Sequence, residues 1–289
     1  QDRQLGLGVT GLADALAMLG ITYGSNAAAN MTEEIMREIA IEAYKTSVNL
    51  AKEKGPFPTF VVEEFLDPES FAGRQMPSDI QADIRKHGIR NALLVSIAPT
   101  GTISLYAGNL SSGIEPIFAH SYTRKILNDD GTHRHERVED FAVANYRDFW
   151  LQSNADADFG TDEDGRIMDG KDAVEKNGIE MFLPDQFVSA QTITPEAHIT
   201  MQAAAQKWVD SSISKTTNVP EDISFEDFKG VYMLAWDQGC KGCTTYRPND
   251  ISGSILSVDA KPEEPQEVAD VPIESLMDTA KAYLNGASG

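Results

Sequence analysis

Hydrophobic and polar positions follow a helical period over most of the chain and break from it in a few short runs. Leu12 to Leu19 is an apolar stretch of helical length that Gly20 closes. Asn30 with Glu33 has the form of a capping box and predicts the start of a longer helix. Met36, Ala40, Ala43, Ser47, Leu50 and Ala51 mark one face of it, and Gly55-Pro56 stops it. From Asn91 to Ile97 the period changes: Leu93, Leu94, Val95 and Ile97 form a nearly continuous apolar run, the mark of a strand covered on both faces, bounded by Pro99 and Gly101. Ile117 to Ile126 is expected to be a second extended stretch. Thr194-Pro195 opens a helix with Met201, Ala205, Trp208, Val209 and Ser212 on one face. Ser224 caps another, carrying Phe228, Val231, Tyr232 and Ala235 and ended by Gly239. Ile213 to Asn218 and Thr244 to Tyr246 read as short strands. Helices alternating with strands predict an α/β architecture.

Two regions lack this clarity. Residues 128–186 are expected to form a helix and a solvated polar insertion. Within them the run Asn154 to Gly165 invites a calcium-loop reading, but Phe159 stands where the sixth-position glycine belongs and no bidentate Glu ends the loop. Beyond Leu256 the chain turns polar, acidic and proline-containing, too poor in apolar residues to pack. It leads to Pro272–Leu284, where Ile273, Leu276, Met277, Ala280, Tyr283 and Leu284 recur at helical spacing. The expected organisation is a body over 1–255, with the polar insertion around 128–186, and a tail over 256–289 made of linker and a short amphipathic helix.

The 289 residues carry 45 acidic against 24 basic side chains, a formal charge of -21. Such a balance opposes nonspecific binding to nucleic acid or to anionic membrane, so an anionic ligand must be held by local donors. No run reaches transmembrane length and no signal peptide opens the chain, which together predict a cytoplasmic protein. The only cysteines, Cys240 and Cys243, do not build a disulfide framework. They could form a redox pair or half of a zinc site. Zinc would need two further ligands, and His133 and His135 lie far off in the polar insertion, so a structural role is the simpler reading.

The candidate chemistry lies directly after the covered strand. Pro99, Thr100, Gly101, Thr102, Ile103 and Ser104 form a turn of small and hydroxyl-bearing residues. There bare N–H groups and the positive end of a following helix could converge on a phosphate or diphosphate. A strand turning into a capped helix needs similar residues for purely structural reasons. Ala98 and Glu115 are possible walls of the same pocket, Glu115 being either a buried hydrogen-bonded carboxylate or a pocket group. Gly6-Leu-Gly-Val-Thr-Gly11 satisfies a dinucleotide-binding spacing, but only five residues precede it, so close packing is the simpler role for its glycines. Lys215, Asn218 and Arg247 could be ligands or scaffold.

The wording of these segments resembles one family. AlaProThrGlyThrIleSer at 98–104 and SerSerGlyIleGluPro at 111–116 are similar to the adenosylcobalamin-dependent (class II) ribonucleotide reductases. ArgGlnLeuGlyLeuGlyValThrGlyLeuAlaAsp from Arg3, GlyProPhePro from Gly55, SerLysThrThrAsn from Ser214 and GlyCysLysGlyCysThrThrTyrArg from Gly239 follow in family order. Gly101 is the feature that favours the cobalamin class over oxygen-dependent relatives.

The resemblance implies the carboxyl-terminal half of a ten-stranded α/β barrel that reduces ribonucleotides to deoxyribonucleotides by thiyl-radical chemistry. It also implies adenosylcobalamin as radical generator, a thiol reductant, and residues 99–104 holding the phosphates of a nucleoside di- or triphosphate. The family's radical cysteine, its two reducing cysteines and their flanking Asn and Glu have no counterpart here. They are therefore expected on an amino-terminal half that acts as partner. Two other readings stay open: a noncatalytic assembly or regulatory subunit of the same shape, and a fragment of a class I, metal-radical reductase.

Overall fold

The computed structural model describes residues 2–128, 131–160 and 166–247. The helices are α1 (Leu12–Met18), α2 (Asn26–Lys54), α3 (Val62–Phe65), α4 (Phe71–Gln75), α5 (Ser78–His87), α6 (Gly101–Tyr106), α7 (Phe141–Ser153), α8 (Gly170–Asn177), α9 (Pro195–Gln206) and α10 (Phe225–Asp237). The strands are β1 (Ser121–Leu127), β2 (His133–Glu139), β3 (Thr216–Asn218) and β4 (Thr244–Tyr246). The described residues fall into two compact units, the first holding residues up to 9, 28–100 and 195–247, the second 10–27 and 101–194. No described helix is long and apolar enough to cross a membrane.

The first unit is built on a row of parallel segments. Leu5 N donates to Leu93 O at 2.9 Å, Leu7 N to Leu94 O at 2.8 Å, and Ser96 N returns to Leu7 O at 2.9 Å. On the other side Ser211 N reaches Val95 O at 3.1 Å and Ser214 N reaches Ile97 O at 2.9 Å. The chain then runs into β3, which pairs in parallel with β4. The apolar run 93–97 is therefore interior to the row, as its continuous hydrophobicity predicts, with Leu94, Val95 and Ile97 buried.

Parallel neighbours need crossovers, and the intervening helices provide them. The row stays open among the described residues. Leu5 and Leu7 at one margin are 51% and 47% exposed. What is present is thus a mixed helix and strand arrangement, with the row of parallel segments left unclosed, as half of a barrel would leave it.

Packing around the row explains several sequence features. A Cβ on Gly8 would stand 2.2 Å from Ser96 O and one on Gly6 2.4 Å from Ser96 Oγ, so these glycines serve close backbone approach. Asp210, buried, accepts from Leu94 N at 2.8 Å, Val95 N at 2.9 Å and the Tyr44 hydroxyl at 3.0 Å, fixing strand to helix. Helix α2 buries Met36, Ala40, Ala43, Ser47 and Ala51, the expected face. It begins at Asn26, however, so Asn30 lies a turn inside it and caps nothing. Ala27, Ala28 and Ala29, strong helix formers, carry the helix upstream.

Helix α9 likewise stops at Gln206, before Trp208, Val209 and Ser212, because the Gln206 amide donates to Val209 O and Ser211 O and turns the chain. Helices α9 and α10 bury Ile199, Ala203, Val231 and Ala235 in one cluster with Val219 and Cys240. Ser224 Oγ accepts from Asp227 N at 3.1 Å and Gly239 takes φ +80°, the two ends expected for α10.

In the second unit β1 and β2 form an antiparallel hairpin, and Ile117 pairs in parallel with Ser189. Residues 128–186 hold more structure than a helix and a solvated insertion. Asp140 caps α7, Asp169 and Asp172 form a capping box on α8, and Trp150 stacks on Phe182 at 4.4 Å and Phe159 at 5.2 Å. Phe159 is thus a packing residue in this cluster. Thr161–Gly165, the linker and the helical pattern of Pro272–Leu284 lie outside the described residues.

Candidate functional site

The candidate segment begins where the covered strand leaves the core of the first unit. Ile97 is buried, Ala98 and Pro99 are exposed, and Thr100 is half-buried. Thr100 has φ +51°, a left-handed conformation that costs a β-branched residue on the order of 1–3 kcal/mol and concentrates at ligand-binding turns.

The second unit takes up the chain at Gly101, where α6 starts. Gly101, Thr102 and Ile103 are exposed, and their N–H groups belong to the first turn, which has no acceptors within the helix. A Cβ on Gly101 would meet nothing within 4 Å, so the packing of the chain does not itself require glycine there.

Ser104 differs from its neighbours. It is buried, with its hydroxyl 2.6 Å from Thr10 Oγ1. Thr10 Oγ1 also donates to Ser111 O at 3.1 Å and accepts from Gly113 N at 3.3 Å. Gly11, at φ +76°, donates its N–H to Ser111 O at 2.8 Å.

Asp14 grips the same turn from α1: its Oδ2 accepts from Ser111 N at 2.6 Å and its Oδ1 from Ala142 N at 3.1 Å. Asp140 shares that Ala142 N–H at 3.0 Å. Burial first, and the charge and hydrogen bond of Asp14 next, push the Asp140 carboxyl up to about 8. At neutral pH Asp140 therefore keeps its proton and can donate it in a hydrogen bond to Asp14. The Tyr23 hydroxyl donates to Ile114 O at 2.6 Å and its pKa stands well above the ordinary tyrosine range, through burial first and the charge of half-buried Glu115 second. Thr10, Asp14, Tyr23 and Asp140 thus frame the 104–116 segment, and none was singled out from the sequence. An acid inside the otherwise apolar helix LeuAlaAspAlaLeuAlaMet was the available signal.

The remaining candidates lie in the first unit. Cys240 is buried in the α9/α10 cluster and Cys243 packs beside it, both reduced. Burial, then the neighbouring Cys243, pushes the Cys240 thiol up to about 11. The Cys243 thiol is raised by burial, against smaller lowering by Thr217 and Lys215. Neither is poised as a thiolate. Among the described residues no group of three His, Cys, Asp or Glu is arranged to hold a metal ion.

Lys215 is buried, with Nζ 2.9 Å from His198 Nδ1 and 3.1 Å from Thr216 O. Burial and the Lys215 charge hold His198 down to about 2, so its neutral Nδ1 accepts from the lysine. Arg247 Nε donates to Glu221 O at 2.7 Å. These contacts give Lys215 and Arg247 a role in holding their own unit together.

Comparison with known proteins adds the family. Residues 1–246 match the family described as ribonucleotide reductase, barrel domain. The vitamin B12-dependent ribonucleoside-diphosphate reductase of Mycobacterium tuberculosis (strain CDC 1551 / Oshkosh) is 36% identical over 262 residues, covering 88% of this chain and 32% of the relative. That of Thermoplasma acidophilum is 34% identical over 272 residues, covering 92% and 31%. The vitamin B12-dependent ribonucleotide reductase of Streptomyces avermitilis is 28% identical over 290 residues, covering 92% and 30%. The chain spans about a third of the length of these relatives.

Proposed function

Because the chain belongs to the ribonucleotide reductase barrel-domain family, we propose that it is the carboxyl-terminal part of the catalytic barrel of a ribonucleotide reductase and holds the substrate diphosphate. The observation that carries the reading is the turn Pro99–Ile103, exposed except at half-buried Thr100, which follows a buried segment with parallel partners and holds that threonine in the left-handed region. The bare first-turn N–H groups and the Thr102 hydroxyl are donors suited to phosphate oxygens, and in a chain of formal charge -21 they supply locally what the overall field does not. Ser104, buried against Thr10, braces this turn in preference to touching the phosphate. Glu115, half-buried beside the Ser111–Gly113 turn, stands as a candidate wall of the proposed pocket.

The radical cysteine and the reducing pair belong to the remainder of the barrel, which is the proposed partner. The parallel row, open at the Leu5–Leu7 margin, is the edge that such a partner would extend. The relatives' names carry vitamin B12, and adenosylcobalamin would supply the radical in the assembled enzyme. The described residues include no recognisable seat for a corrin: the exposed turn is made of small and hydroxyl groups fit for phosphate, and buried His198 is engaged by Lys215. The ten-stranded closure, the thiol reductant, the body over 1–255 and a cytoplasmic location complete the proposal.

Isothermal titration of the assembled enzyme with a nucleoside diphosphate tests the placement. Gly101→Val should weaken binding at least tenfold by obstructing close approach to the backbone, while thermal stability stays near wild type because a Cβ there meets open space. Unchanged affinity in Gly101→Val would exclude this turn as the phosphate site.

A further inference from the structure

We infer that Thr10 is a positioning residue for the phosphate turn: its hydroxyl joins α6 to the Ser111–Gly113 turn and so sets where Gly101, Thr102 and Ile103 stand. As regards substrate, the inference rests on the diphosphate reading above.

One oxygen meets three positions of the second unit, Ser104 Oγ at 2.6 Å, Ser111 O at 3.1 Å and Gly113 N at 3.3 Å. Helix α6 has only six residues, too few to persist in water on its own, and Ser104 is the one residue it buries. Of its other side chains only Leu105 is half-buried, and Tyr106 is 95% exposed. The Ser104–Thr10 contact is therefore a principal tie between α6 and the core of its unit. Thr10 is itself held in place. The adjoining Gly11 bonds Ser111 O through its N–H, and Asp14, one turn on, clamps Ser111 N. Thr10 thus acts on the exposed turn through Ser104, without touching a ligand.

Thr10→Val keeps the volume and removes the hydroxyl, and Thr10→Ser keeps the hydroxyl. Hydrogen exchange of the full chain should show the hydrogen-bonded amides of Ala107–Ser111 exchanging at least about tenfold faster in Thr10→Val, with the first unit unchanged, and near wild-type rates in Thr10→Ser. Unchanged exchange in Thr10→Val, or equal acceleration in Thr10→Ser, overturns the assignment. If Thr10→Val does not fold, Ser104→Ala cuts the same tie from the other end and is read by the same criterion. In the assembled enzyme, nucleoside diphosphate affinity should fall about tenfold in Thr10→Val and recover in Thr10→Ser. A wild-type enzyme that binds no diphosphate at this turn removes the substrate reading, while the exchange result still decides the brace.

Discussion

Replacing Asp140 by Asn should stabilise the protein at neutral and alkaline pH and leave it little changed in acid. Asp140 and Asp14 are both buried and converge on the Ala142 N–H, so charging Asp140 there is costly. Adjacent Glu139 turns its carboxylate to Arg147 of α7, which leaves Asp14 as the charge acting on Asp140. The unfolded chain releases the Asp140 proton near 3.8, whereas the folded chain keeps it to about 8. Between those values the unfolded state binds fewer protons, so this group's stabilising contribution is complete below about pH 4 and is lost progressively as pH rises to about 8.

At about 1.4 kcal/mol per pH unit, the difference at pH 7 is on the order of 4 kcal/mol, and relaxation around the pair should reduce it to about 2–4 kcal/mol. Asn can accept from Ala142 N and donate to Asp14 without titrating. Urea denaturation followed by circular dichroism from pH 4.5 to 9 should show the variant gaining on wild type steadily with pH. Parallel pH profiles for the two proteins, or a variant less stable than wild type at pH 8, would refute the retained Asp140 proton.

Asp210→Ala would leave Leu94 N, Val95 N and the Tyr44 hydroxyl without their buried acceptor. It should cost about 3 kcal/mol or more and lower the melting temperature by roughly 6–12 °C; a shift under about 2 °C in scanning calorimetry would contradict that role. Gly8→Ala should strongly destabilise the first unit, since its Cβ falls 2.2 Å from Ser96 O, whereas Gly101→Ala should melt like wild type; equal melting of the two variants would refute the packing account. Cys240, with its thiol at about 11, should resist iodoacetamide at pH 7 and react roughly tenfold faster per added pH unit. Rapid labelling at pH 7, followed by mass spectrometry, would restore the redox reading.

What could be read from the sequence was local. The segment Leu93–Ile97 shows itself as interior because a run with neighbours on both sides is largely apolar, although its pairing is limited to bridges at Val95 and Ile97. The ends of α10 show themselves because Ser224 and Gly239 do their capping within one turn. Asn30 misled because a capping pattern is only a local preference, and the alanines upstream extend the helix past it. The fold of 128–186 was hidden because Trp150, Phe159 and Phe182 meet across acidic stretches that follow no single period. The frame of the candidate site was hidden for a related reason. Thr10 meets Ser104 across 94 residues and Asp14 meets Ala142 across 128, separations that no periodicity reports. Of the candidate turn only the exposure was legible, because small and hydroxyl residues after an apolar run serve a solvent-facing corner as readily as a ligand.

Complementation tests the central claim most directly. The chain is mixed with a polypeptide supplying the rest of the barrel, a nucleoside diphosphate, adenosylcobalamin and a dithiol, and deoxynucleotide is measured by chromatography. The account predicts deoxynucleotide from the mixture and none from either polypeptide alone. Product from this chain by itself, or a folded complex of the two that binds diphosphate equally well with Pro99–Ile103 replaced by an unrelated turn, would contradict it.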